Sequence, residues 1–257
     1  MSDTAHSSSA IAGRLPQLWR WRFGCAGPAV ELTATVGEAA RAMAMRAALS
    51  LYGSARLDRC LHGPEDVSSP DGRHLHAKWM PEDLDGDGKL DHLSVFVAGG
   101  ASRHSRQVLD SCRNLRIDGF RSKPLFPCMG VQQTATASRV WQSVTPFVGE
   151  RFAKKGAKRP IRQGLSAREQ LIVELNRHRQ VDGQPLPASA VIEDERVETA
   201  SADKFNLGGR ARQGAELRAR GWFVIVFASP VQGPLSFGLG SHFGLGRFTV
   251  LRPEPVR

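Results

Sequence analysis

His74 and His76 stand two apart, so on a strand both side chains leave from the same face of the sheet. An imidazole near neutrality can take a proton from a ribose 2′-OH and return one to a departing 5′-oxygen. Two such groups, or one with Lys78 or Tyr52, suffice for RNA cleavage without a metal. His62 in the preceding loop is the reserve, His92 opens the next strand, and His242 lies in a glycine-rich loop where it too could be catalytic. A zinc reading of His74, His76 and His92 lacks the spacing that marks such sites. Same-face histidines are also ordinary occupants of a sheet, so these residues alone leave the choice open.

Two further stretches could hold a polyanion. Arg151-Phe-Ala-Lys154-Lys155-Gly-Ala-Lys158-Arg159-Pro-Ile-Arg162 places six cations in twelve residues with no acid among them. Arg168 follows on a predicted helix, and Trp141, Phe147 and Phe152 lie close by in sequence for base stacking. The second stretch is Gly233-Pro-Leu-Ser-Phe-Gly238-Leu-Gly240-Ser241-His242-Phe-Gly244-Leu-Gly246-Arg247-Phe248, directly after the apolar run 222–228. A glycine-rich loop between two strands can wrap an anion with its N–H groups. Ser241, His242 and Arg247 add side-chain donors, and the absence of Gly-Lys-Ser/Thr excludes a Walker-type phosphate loop. The alternative is a glycine-rich hairpin packed on the core.

Asp83-Leu-Asp85-Gly-Asp87-Gly-Lys-Leu-Asp91 matches the head of an EF-hand-type calcium loop. Ser94 occupies the position of the bidentate glutamate, and strands rather than helices are predicted on either side. A tight hairpin turn built on Asp-Gly pairs is the preferred reading, and no cofactor or metal is expected.

Composition bounds these choices. Lys and Arg number 35 against 25 Asp and Glu in 257 residues, a net charge of +10, as expected of a chain that docks on phosphates. Apolar residues at 41% are those of a globular chain. Cys25, Cys60, Cys112 and Cys128 form no Cys-x-x-Cys and read as reduced thiols in a cytoplasmic protein. No apolar run reaches the ~18 residues of a membrane span, and the start lacks the pattern of a signal peptide.

The elements that must position these groups follow an order. Residues 1–28 read as a flexible leader. A strand is predicted at 30–36, a helix at 38–51, strands at 74–80 and 90–98, a helix at 104–116 and an extended piece to Met129. That order, β-α-β-β-α-β, is a ferredoxin-like unit, assigned to 29–135. The pattern restarts in 136–257 with a strand at 139–148 and a helix at 166–179, opened by the capping box Ser166/Glu169. Extended pieces at 191–197, 221–227 and 247–251 complete a second, partial unit carrying the basic and glycine-rich loops. The expected class is α+β: tandem ferredoxin-like domains with a C-terminal glycine-rich loop.

Four segments together resemble one family. They are His-Leu-His at 74–76, Asp-Gly-Asp-Gly-x-Leu-Asp-His at 85–92, Val-Trp-Gln-Ser-Val-Thr-Pro-Phe-Val at 140–148, and the glycine-rich stretch 233–248. The chain is similar over about 38–248 to the CRISPR-associated RAMP protein of type I-U (I-G) systems, in its half related to the Cas family numbered six. The resemblance implies paired ferredoxin-like (RAMP) domains, binding of the CRISPR repeat RNA, and metal-independent cutting of the precursor transcript into guide RNAs. It makes the glycine-rich loop the signature that contacts the repeat. His76, His74 or His62 would then serve the cleavage. Lys154, Lys155, Lys158, Arg159 and Arg162 would hold phosphates, with Gly238, Gly240, Ser241, His242, Gly244, Gly246 and Arg247 at the loop. Other CRISPR effector subunits are implied partners. Where the family tends to show Pro-Arg-His-x-Lys after Thr-Pro-Phe-Val, this chain has Gly149-Glu-Arg-Phe-Ala-Lys154, with Phe152 in the histidine's place. The competing expectations are a non-catalytic RNA-binding subunit of the effector and a calcium-stabilised structural module.

Overall fold

Trp19, Trp21 and Phe23 alternate with Arg20 and Arg22, and that period of two sends the three aromatic rings to one face. They form β1 (Gln17–Phe23), the inner strand on which the first sheet is assembled. The computed structural model describes residues 17–23, 27–52, 77–97, 103–111, 125–133, 137–149, 165–178, 186–187, 189–196, 204–207 and 218–251. After β1 come a 3-10 turn (Val30–Leu32), α1 (Thr33–Tyr52), β2 (Lys78–Glu82), β3 (His92–Val97), α2 (Arg103–Ser111) and β4 (Leu125–Gln133). The sheet order is β2-β3-β1-β4 with every neighbouring pair antiparallel, the ferredoxin-like arrangement.

Two expectations are corrected here. The first strand is not 30–36, which forms the 3-10 turn and the opening of α1. It lies instead at 17–23, inside the range read as leader. The alternation at 30–36 misled because Val36, Ala40, Ala44 and Ala48 also recur every fourth residue. On a helix they make a stripe of small buried side chains that lets α1 lie close on the sheet. Thr33 Oγ1 donates to the Val30 carbonyl at 2.6 Å and closes the turn into the helix. The resulting core holds Trp19, Trp21, Trp79, Leu93, Val95 and Val97.

Asp83 to Asp91 is the β2–β3 hairpin connection, as preferred from the sequence. Gly86 and Gly88 carry positive φ, and Asp83 accepts from both of their N–H groups at 2.8 and 2.9 Å. The carboxylates of Asp83, Asp85 and Asp87 lie within 4.8 Å of one another, and each accepts an N–H of the turn itself.

The second sheet is built from β5 (Ala137–Ser143), β6 (Phe147–Val148), β7 (Ala190–Arg196), β8 (Arg220–Gln232), β9 (Leu235–Ser236) and β10 (Arg247–Val250), with α3 (Ala167–His178) between β6 and β7. Within it β7-β8-β5-β10 repeats the order of the first sheet. Where the first unit has its second helix, this one has the glycine-rich loop and a 3-10 turn (Ser241–Phe243). The single strand expected at 139–148 bends at 144–146 and resumes as β6, still paired with β8. The capping box forms: Ser166 N donates to Glu169 Oε2 at 2.8 Å, and Glu169 N donates to Ser166 Oγ at 3.2 Å. Trp141, Phe147, Leu171, Ile225, Phe227 and Phe248 fill the second core. The fold is α+β, two ferredoxin-like units in tandem, the second completed by a glycine-rich loop.

Candidate nucleic-acid interface

The Thr-Pro-Phe-Val and glycine-rich motifs, far apart in the chain, interlock. The bend at 144–146 places Thr145 under the loop, where its hydroxyl donates to the Gly244 carbonyl at 2.7 Å and accepts from Arg247 N at 3.0 Å. Gly246 N donates to the Pro146 carbonyl and Leu239 N to the Val148 carbonyl, both at 2.8 Å. Phe237, Ser241, Phe243 and Leu245 donate their N–H groups to carbonyls within the loop. A backbone N–H makes one strong bond, so these donors are committed to the fold. These six N–H groups are therefore not the ones with which the loop would wrap an anion. Most of the glycines serve close packing: Gly238, Gly244 and Gly246 are buried and Gly240 is half-buried. At Gly246, φ is +56° and a Cβ would stand 2.0 Å from the Phe237 carbonyl oxygen, so no other residue fits.

The loop also docks on the first unit. Phe243 packs against the first core. A Cβ on Gly37 of α1 would meet the carbonyl oxygens of Phe243 and Trp79, each at 2.7 Å. Below that contact lies a buried polar network. Glu82, at the end of β2 and 3% exposed, pairs with Arg247 Nη2 at 3.0 Å and with Arg20 Nε at 2.9 Å. Ser94 Oγ donates to the same carboxylate and accepts from Arg20 Nε at 2.9 Å. In the sheet register Arg20 stands opposite Ser94 on β3, and Glu82 opposite His92, one alternation along. Arg247 was expected to contact RNA. Its side chain is 9% exposed and pairs with Glu82 through Nη2. A carboxylate in this setting holds its partners by charge-assisted bonds, and nothing in the local sequence around Arg247 announces it.

The tip of the loop differs from its stem. Leu239 through Phe243 are half-buried, so Ser241 and His242 remain at the surface. Arg41 of α1 lies over the Phe243 ring with its guanidinium carbon 5.9 Å from the centroid. Arg46 and Arg22 are exposed. His92 Nδ1 is 2.9 Å from Asp91 Oδ1 at the mouth of the hairpin. His62, His74 and His76 lie outside the described residues, as do Lys154, Lys155, Lys158, Arg159 and Arg162. The structure therefore brings Ser241, His242 and Arg41 together at one surface. Glu82, Arg20, Arg41 and Thr145 were missed in the sequence. For Thr145 the neighbouring motif was a usable signal. The others become recognisable only through contacts between distant segments.

This tandem arrangement places the chain among α+β proteins with paired ferredoxin-like units. Among solved structures it is similar to a Cas6 product complex, with a TM-score of 0.51 at 13% identity, over 92% of this chain and 99% of that one. Two others are described as an RAMP protein binding different RNA substrates (TM-score 0.46, 13% identity, 93% of this chain and 100% of that one) and as the CRISPR-associated protein Cas6 (0.42, 6%, 93% and 99%). No family model matches the chain, and no curated protein matches it.

Proposed function

We propose that the chain binds CRISPR repeat RNA and cuts the precursor transcript into guide RNAs. The observation that carries this reading is the end-to-end likeness of fold to a Cas6 product complex, covering 92% of one chain and 99% of the other. The net charge of +10 and the surface tip bearing Ser241 and His242 support it.

The chemistry is internal transesterification. The ribose 2′-oxygen attacks the adjacent phosphorus, its proton passes to a base, and the 5′-oxygen leaves with a proton supplied by an acid. The products are a 2′,3′-cyclic phosphate and a free 5′-hydroxyl, and no metal is required. His76 or His74 serves as base and acid, with His62 in reserve. Lys154, Lys155, Lys158, Arg159 and Arg162 neutralise phosphate charge and set the repeat in register. Ser241 and His242 hold RNA at the loop tip, with Gly238, Gly240, Gly244 and Gly246 shaping the backbone beneath. The proposed units are the first, which takes in β1 at 17–23 and runs to 135, and the second, 136–257, and the proposed partners are repeat and guide RNA together with other subunits of a CRISPR effector in the cytoplasm. Among the described residues, no helix is long and apolar enough to cross a membrane.

The test is incubation of repeat RNA with the protein in EDTA. Cleavage that survives chelation, ends in a cyclic phosphate and fails on RNA with a 2′-deoxy at the cut site supports the reading. Binding without products favours a non-catalytic RNA-binding subunit. Substitution His76→Ala abolishes cleavage and spares binding; unchanged products remove His76 from the mechanism.

A further inference from the structure

We infer that Glu82 is a positioning residue for RNA recognition, an inference that rests on the RNA reading above. It acts from the first sheet, through Arg247, on the loop tip that carries Ser241 and His242. Both oxygens of this carboxylate are used: Oε1 accepts from Arg247 Nη2 at 3.0 Å and Arg20 Nη2 at 3.3 Å, and Oε2 is held by Arg20 Nε and Ser94 Oγ. Its exposure is 3%. Arg247 is the residue at which the glycine-rich loop re-enters β10, so the ion pair fixes the loop's stem to β2. The tip then packs on α1 with the Phe243 backbone against Gly37 and Arg41 over the Phe243 ring. Glycine gives the stem little stiffness of its own, because its backbone has a wide choice of conformations. A planar guanidinium held by a buried carboxylate supplies direction as well as attraction. Apolar side chains of similar volume would glue the two sheets together at least as well. An ionic pair at this point is better explained by geometry than by adhesion.

The consequence is a coupling between Glu82 and His242 in RNA binding, although neither is a ligand of the other. If Glu82 works by aiming the tip, its removal costs nothing further once the tip residue is gone. A purely structural role predicts independent losses instead.

The experiment is a double-mutant cycle on repeat-RNA affinity, with wild type, Glu82→Gln, His242→Ala and the double variant. Each single substitution is expected to raise Kd on the order of tenfold, the loss of one base or phosphate contact. The double variant is expected to match His242→Ala within about threefold. Losses that multiply to about a hundredfold, or an unchanged Kd for Glu82→Gln, overturn the inference while leaving the RNA reading intact. No binding by the wild-type chain overturns both. Hydrogen exchange gives a readout independent of RNA. The amides of Ser241, Phe243 and Leu245, all bonded inside the loop, are expected to exchange faster in Glu82→Gln than in wild type. Unchanged exchange there also overturns the inference. Should Glu82→Gln fail to fold, Arg247→Lys keeps the charge, removes the planar fork, and enters the same cycle with the same outcomes.

Discussion

Glu82 shows how far the environment of a side chain can depart from what its neighbours in sequence suggest. It ends a short strand beside an acidic turn, yet it is buried with two arginines and a serine around its oxygens. Removing one partner of such a network strands the others without their counter-charge, at a cost well above that of losing a surface ion pair. Glu82→Ala is therefore expected to destabilise the fold by about 3–5 kcal/mol, read as a lowered midpoint in urea with an unchanged slope. Arg247 illustrates the complementary point. A basic residue beside glycines reads as a phosphate ligand, and only the fold reveals that its counter-charge comes from the other sheet. Gly246 was legible in part: its type announced a backbone requirement, but not the Phe237 carbonyl that imposes it. Gly246→Ala is expected to cost about 1–3 kcal/mol from backbone strain, with a steric penalty in addition, measured by the same denaturation.

Among the elements, β1 and α1 divide the legible from the hidden. The alternation Trp19-Arg-Trp-Arg-Phe23 is a strand signal in plain view, masked by the small, polar start of the chain. Residues 30–36 alternate as well, and a segment that short satisfies both periods. What decides between them is that the inner slot of the first sheet is already filled by β1. Trp21→Ala, which empties a 3%-exposed position in that strand, is expected to lower stability by about 3–5 kcal/mol. Had 17–23 been a leader, the same change would leave the melting temperature untouched. The capping box at α3 was read correctly, because its bonds run between residues three apart. Ser166→Ala is expected to cost about 1 kcal/mol, seen as a small drop in the denaturation midpoint.

At the scale of the whole molecule, the fold class followed from the element order in both units, although the strand that opens the first lies at 17–23 and not at 30–36. Which faces meet did not follow, because the contact between the bend at 144–146 and the glycine-rich loop joins segments that share no local pattern. His62, His74, His76 and the basic loop fall outside the described residues, so their part in the proposed reaction is decided by assay. Charge acts at this scale also. With a net charge of +10, repeat-RNA affinity is expected to fall about a hundredfold between 50 and 200 mM salt if about four phosphates are contacted. Anisotropy titrations across that range measure the slope, and a flat response would remove phosphate neutralisation from the account.

The meeting of Arg20, Glu82 and Arg247 has a consequence for how the chain matures. Every strand of the first sheet is synthesised well before residue 247 leaves the ribosome, so that sheet can assemble while its buried carboxylate still lacks one of its two arginines. Completion of the last strand supplies the missing cation. The amino-terminal half of a nascent chain is thereby held in a less stable form until the carboxy-terminal half closes over it.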